Sequence, residues 1–348
     1  LDSLGIPFWA TTLVILAMIL MYTYQGGVKT IVWTDTLQTS CMLFGLFACV
    51  WFLLNALDMS VFESLNQMQS QGLARIFTWD FDSPNFFWKQ FIAGIFIVLT
   101  MTGMDQEMMQ KTISVKTLAD SQKNLLSLTA VLVVVLSSFL FLGGLLYLYA
   151  PLAGLTASGD KIFPAVVMGH LPAAVQIIFL IALVSALFPS ADGAITALTS
   201  TFCIDILGIK RRPDLDQAGQ ERLRRHVHLG FALLFLVLVM GFKWIDEPSM
   251  IVVILKLAAY TYGPLLGLFA FGMLTRRTLT DHLVPFVTIG APILCAILEF
   301  NQQYLLGSYR LGLELLMVNG ILVYTGLFAI SHKEAADKHA LIADLPSA

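Results

Sequence analysis

Nine segments of this chain are apolar for long enough to cross a membrane as helices: residues 7–25, 31–57, 87–106, 124–149, 172–207, 227–245, 249–274, 283–300 and 311–331. A hydrocarbon core about 30 Å thick takes about 20 helical residues to span. A transmembrane barrel would instead alternate apolar and polar residues over about ten positions, and these segments do not. Composition agrees. Only 12% of the residues are charged, where a soluble domain carries about 25%, and mean hydropathy is +0.80. The expectation is an all-α, multi-pass membrane protein, with residues 1–348 forming a single transmembrane domain. The fifth segment exceeds one span, so it is tilted, broken or extended beyond the bilayer.

The positive-inside rule orients the chain. With the connecting segments taken alternately, fourteen Lys and Arg fall on one side and five on the other, leaving Lys256 inside a segment. The richer side is then cytoplasmic, in the plasma (inner) membrane, with Leu1 starting outside and Ala348 ending inside. Residues 58–86 make a long outer loop. In it, Val61–Leu65 and Leu73–Phe77 read as an interfacial helix, with Trp79 and Trp88 as headgroup-level anchors. A short outer helix fits between Pro164 and Pro172. Residues 208–226, with Pro213, form a charged cytoplasmic loop, and 332–348 a cytoplasmic tail. The chain opens on Leu1 and a short polar turn, which reads as a fragment lacking an N-terminal part.

Several functions find no support. No basic patch interleaved with aromatics points to nucleic acid. Cys41, Cys49, Cys203 and Cys295 lie in apolar stretches with no disulfide or metal spacing. The six histidines fall in loops, tails or helix ends, and haem would need them paired deep in the helices.

Ionisable groups at membrane depth are costly and mark candidate sites. The glycine pair Gly26–Gly27 separates two helices and places Thr34, Asp35 and Gln38 in the first turns of the second. There a carboxylate either favours the helix dipole or serves a ligand. The third segment ends in Thr102, Gly103, Met104, Asp105 and Gln106, read either as an interrupted helix offering backbone to a ligand or as plain helix exit. In the fifth, Pro189 supplies no N–H to the Ser185 carbonyl. Ala186, Pro189, Ser190 and Gly193 share one face there, and Asp192 borders it. A carboxylate, a hydroxyl and a freed carbonyl make an all-oxygen cluster suited to a hard cation. Lys256 sits about two turns inside the seventh segment and either snorkels outward or lines a solute path with Tyr260 and Tyr262. Pro264 perturbs the same helix. Asp246, Glu299 and Glu314 lie near helix ends and read as solvated.

Taken together, these stretches resemble the sodium/solute symporter family, which includes bacterial proline, sugar and sialic acid symporters. The run from Gly26–Gly27 through Trp33-Thr34-Asp35 to Gln38 resembles its signature. Asp105-Gln106 through Gln110-Lys111 resembles its second motif, Ser190 to Asp205 its ion-site helix, and Tyr262-Gly263-Pro264 through Gly272 a later core helix. The resemblance implies the LeuT-type fold, two inverted five-helix repeats. This chain would then hold core helices four to ten plus two more, without core helices one to three. It also implies a sodium site with Ala186 as carbonyl ligand and Ser190 as hydroxyl ligand. Position 189 is normally Ser or Thr, and here it is Pro. Asp192 and Gly193 match a second sodium site of sialic acid symporters, and Asp35 matches its carboxylate.

The implied activity is sodium-coupled symport of a small organic solute, with sodium as coupling ion, no organic cofactor and the lipid bilayer as surroundings. A proton-coupled symporter and a transporter-like channel or sensor are the alternatives. A membrane enzyme would need a catalytic constellation facing one leaflet, and the sequence offers none. Solute identity and oligomeric state are not legible in it.

Overall fold

The polypeptide is helical almost wherever it is apolar, because a chain in hydrocarbon must satisfy its own N–H and C=O groups. The structure, a computed structural model, describes residues 7–23, 28–113, 115–212, 216–244 and 249–333. The Leu1–Ile6 turn, Gly26–Gly27, Pro213, Asp246 and the tail beyond residue 333 lie outside the described residues.

In chain order the helices are α1 (Phe8–Thr23), α2 (Val28–Leu57), α3 (Val61–Ser70), α4 (Phe87–Met101), α5 (Gln106–Ile113), α6 (Leu118–Leu152), α7 (Ile162–His170), α8 (Ala173–Thr201), α9 (Gln217–Phe242), α10 (Met250–Leu274), α11 (Val284–Phe300), α12 (Gln302–Leu306) and α13 (Leu315–Ala329). Each of the nine apolar segments holds one of them. Among the described residues, six are long and apolar enough to cross a membrane: α2, α6, α8, α9, α10 and α11 with its leading turn. The shorter α1, α4 and α13 are also apolar. Val133 and Val134 of α6 are each 60% exposed, which suits a helix whose solvent is lipid.

Two helices begin earlier than their apolar runs, because polar caps start them. Thr117 Oγ1 accepts from the Asp120 N–H at 3.1 Å and starts α6. Asp216 Oδ1 accepts from the Gly219 N–H at 2.8 Å and starts α9, ten residues before the apolar run from 227. Conversely, α4 stops at Met101 rather than at 106. Beyond the helices, β1 (Arg277–Leu279) pairs antiparallel with β2 (Ser331–Lys333). The all-helical reading did not include this ribbon. Arg277 secures it, donating to Ser331 Oγ at 2.7 Å and to the Ser331 carbonyl at 2.9 Å.

The chain divides into two compact units: residues 1–74 with 110–249, and residues 75–109 with 250–348. In the first, α2, α6, α7 and α8 bury a core that includes Leu53, Leu145, Val166 and Val175, each 0% exposed. The capping box of Ser60 and Glu63 starts α3, which tucks Met68 beneath Gly144. In the second unit, α10 and α13 meet along small residues. A Cβ on Gly267 would stand 2.6 Å from the Gly320 carbonyl oxygen, so only glycine permits that approach. Gly326 of α13 likewise receives Val287 of α11.

Candidate functional site

Within the first unit, α2 and α8 form the most extensive helix pair. They come closest at Gly45, where a Cβ would collide with the Ala182 Cβ and stand 3.6 Å from the Ile178 carbonyl oxygen. The C-terminal half of α2 shares its core with the N-terminal half of α8, through Cys49 and Leu53 on one side and Val175 and Phe179 on the other. The two helices are therefore antiparallel. Each rises about 1.5 Å per residue, so stepping away from the Gly45–Ala182 crossing brings residues level in pairs. Gln38 comes level with Pro189, and Asp35 with Asp192. Gln38 is two turns from Gly45, and Pro189 two turns from Ala182, so both lie on the facing stripes.

Asp192 is wholly buried, at 0% exposed, and Gly193 beside it is buried too. Asp35 and Pro189 are half-buried, while Ala186 and Ser190, one turn apart on α8, are exposed. Of the three readings of the fifth segment, tilted, broken or extended, the break is not found: α8 runs unbroken from Ala173 to Thr201 with Pro189 inside it. A proline removes one ladder hydrogen bond, and a helix packed along its length tolerates the loss. The chemical consequence survives, because residue 189 has no N–H to give the Ser185 carbonyl. Gln38 Oε1 and Thr201 Oγ1 are buried without a hydrogen-bond partner among the described residues. A π-helical turn, Phe202–Ile206, closes α8. His228, expected near a helix end, is buried in the fourth turn of α9, its Nδ1 3.2 Å from Thr199 Oγ1. The early start of α9 carries it inside.

In the second unit, Thr102, Gly103, Met104 and Asp105 form the turn between α4 and α5. The N–H groups of the first three donate to the carbonyls of Val98, Leu99 and Thr100 at 3.0, 3.1 and 3.2 Å. Asp105 Oδ1 accepts from the Met108 N–H at 2.9 Å and so opens α5, of which Gln106 is the first residue. A Cβ on Gly103 would stand 2.6 Å from the Leu99 carbonyl oxygen. Asp105 also lies within electrostatic reach of the Tyr262 hydroxyl.

Lys256, Tyr260 and Glu299 form a polar cluster. Lys256 Nζ stands 2.7 Å from Glu299 Oε1, and the Tyr260 hydroxyl donates to the other oxygen of that carboxylate. The reading of Glu299 as solvated is thereby corrected: its side chain is only 20% exposed, because α10 brings two donors against it on α11. Glu314 is corrected likewise. It is 14% exposed, 3.8 Å from Lys89 Nζ, and accepts from the Tyr309 hydroxyl at 3.2 Å. Lys89 itself is buried, donating to the carbonyls of Ser83 and Arg310 at 3.2 and 3.1 Å and lying 3.4 Å from the Tyr309 ring centre. Burial and the neighbouring Glu314 carboxylate push the Tyr309 hydroxyl up to about 12.

Sequence reasoning passed over Asn319. It is fully buried in α13 and donates to the carbonyls of Ala259 and Tyr260, each at 3.1 Å. The available signal was Pro264, which leaves the Tyr260 carbonyl in need of a donor, and Asn319 is a neutral polar residue in the middle of an apolar segment.

Comparison with known proteins follows the same lines. The family model described as the sodium:solute symporter family matches residues 2–281. Sodium-coupled monocarboxylate transporter 1 of Mus musculus is 26% identical over 302 residues, 82% of this chain and 46% of that protein. The sodium/sialic acid symporter NanT of Aliivibrio fischeri is 22% identical over 267 residues, 74% of this chain and 52% of that protein. The chain thus spans about half the length of the curated relatives it matches. A solved substrate-bound, outward-open Na+-coupled sialic acid symporter superposes with a TM-score of 0.74 at 16% identity, over 95% of this chain and 69% of that one. That likeness shows the fold, the LeuT-type arrangement implied by the sequence.

Proposed function

We propose, since the chain belongs to the sodium:solute symporter family, that it serves sodium-coupled symport of a small organic solute. The proposal places it in the plasma membrane as a multi-pass protein with its C-terminus in the cytoplasm. One observation carries the reading: Asp192 is wholly buried on α8, level with Asp35 on the antiparallel α2. Two carboxylates at one depth among apolar helices are costly, and a small cation held there offsets the cost. Asp35, Ser190, Asp192 and main-chain oxygens of α8 near Ala186 and Gly193 are the ion-binding groups in this reading. Thr102, Gly103, Asp105, Gln106, Lys256, Tyr260 and Tyr262 are the groups that meet the solute. The relatives named above are sodium-coupled and carry monocarboxylates or sialic acid, which supports a small organic cargo.

The test is accumulation in proteoliposomes of the complete protein, with any segment that accompanies these residues present. An inward sodium gradient should drive a labelled solute above its bath concentration, and collapsing the gradient should abolish the excess. Equilibration to the bath level, whatever the gradient, would overturn symport in favour of a channel. The burial of Asp192 also favours a second reading, proton coupling, because a desolvated carboxylate can carry a proton in place of a metal cation.

A further inference from the structure

We infer that Gln38 is a ligand of the coupling ion, its Oε1 and the Ser185 main-chain carbonyl together supplying oxygens to a cation at the level of Pro189. The inference deepens the ion-site reading above and rests on it.

Three observations converge on Gln38. It belongs to the stripe of α2 that faces α8, two turns from the Gly45–Ala182 contact. Its Oε1 is buried with no hydrogen-bond partner among the described residues. The residue level with it across the seam is Pro189, inside an unbroken α8. Helix carbonyls point toward the C-terminus, so the Ser185 oxygen points toward the level of Pro189, where no N–H receives it.

A buried amide oxygen without a donor costs free energy, and so does a main-chain carbonyl left without its helical N–H. Bringing two such oxygens to one level of a helix pair is unfavourable for packing alone. The same pair suits a hard monovalent cation, which takes neutral amide and carbonyl oxygens as ligands. Asp35, one turn from Gln38 on α2, adds negative charge close to that depth. In this arrangement Pro189 withholds a side-chain oxygen from α8, and Gln38 supplies one from α2.

The test uses purified protein and its thermal unfolding midpoint against sodium chloride, with choline chloride holding ionic strength constant. Sodium binding should raise the wild-type midpoint in a saturable way. In Gln38→Leu the midpoint without sodium should stay level or rise, because an apolar group replaces an orphaned amide. The sodium needed for half the shift should rise about ten-fold, the loss of one charge-assisted contact. Gln38→Glu keeps an oxygen in place and should keep a saturable response. Asp192→Asn tests the underlying reading. If Asp192→Asn weakens the response and Gln38→Leu does not, Gln38 is no ligand and the ion site stands without it. If neither changes the response, the ion-site reading itself fails. A Gln38→Leu protein that melts earlier without sodium yet keeps wild-type sodium dependence makes the amide a packing element and overturns the inference.

Discussion

Asn319 Nδ2 donates to the Tyr260 carbonyl at 3.1 Å, and that carbonyl is the one Pro264 leaves without its helical N–H. The defect in α10 is therefore repaired from α13. Gly263 makes the repair possible, since a Cβ there would stand 2.5 Å from the Asn319 amide nitrogen. The three residues act as one device: a proline that frees an acceptor, a glycine that opens the seam and an amide that fills it.

Removing the amide should cost what an orphaned buried carbonyl costs. Asn319→Leu is expected to destabilise the protein by about 1–3 kcal/mol, read from its unfolding in denaturant. Gly263→Ala should destabilise by forcing α10 and α13 apart. Because both substitutions loosen one seam, the double variant should cost less than their sum. Strict additivity would show that Asn319 and Gly263 do not serve one contact.

The ion pair of Lys256 and Glu299 should respond unequally to loss of each partner. Lys256 is 55% exposed and Glu299 20%. Glu299→Gln leaves a lysine that extends to the headgroups, costing about 0–1 kcal/mol. Lys256→Met leaves a largely enclosed carboxylate beside Tyr260, and should cost about 2 kcal/mol. The reverse order in thermal unfolding would mean that Glu299 reaches solvent by another route.

Much of this architecture was legible because hydropathy reports burial in lipid directly. All nine apolar segments contain helices, and the residues of the α2 and α8 motifs fall on adjoining helices. What escaped the sequence was polar pairing. Lys89 read as one of five positive charges on the outer side, yet it is buried because the chain returns at Tyr309, Arg310 and Glu314, more than two hundred residues away. Asn319 escaped because it stands alone among apolar residues, and the carbonyls it serves lie about sixty residues away in the chain. Pro189 withholds an N–H from Ser185 as its chemistry requires, yet α8 continues through it, because packing along the whole helix outweighs one missing hydrogen bond.

The buried Lys89 cluster gives a pH prediction. Tyr309 is held neutral by burial and by Glu314, its hydroxyl raised to about 12 from the usual value near 10. A group raised on folding contributes stability that is complete below its unfolded value and is lost as pH climbs through the folded one. The wild-type unfolding midpoint should therefore fall between about pH 10 and 12, and more steeply than in Tyr309→Phe. Lys89→Met, which strands Glu314, should cost about 3 kcal/mol at neutral pH. Parallel pH profiles for wild type and Tyr309→Phe would remove the tyrosine from this account.

The identity of the coupling ion turns on Asp192 and Asp35. Sodium and a proton both offset a buried carboxylate, but they leave different traces. If sodium is held between α2 and α8, uptake should saturate with sodium at every pH. Asp192→Asn should then raise the half-saturating sodium concentration about ten-fold or more, since a charged contact contributes about 1.5–3 kcal/mol. Asp35→Asn should act in the same direction, since Asp35 lies level with Asp192 along the seam. If Asp192 carries a proton, external acid should drive uptake without sodium, and Asp192→Asn should abolish that drive because an amide cannot release a proton in this range. The crossed measurement is solute uptake over a grid of sodium concentration and pH, for wild type and both variants. A surface that depends on sodium alone selects the symporter reading. One that depends on pH alone selects proton coupling. Ion dependence unchanged in both variants would take the two carboxylates out of the site, leaving Asp192 as a buried charge satisfied by the protein itself.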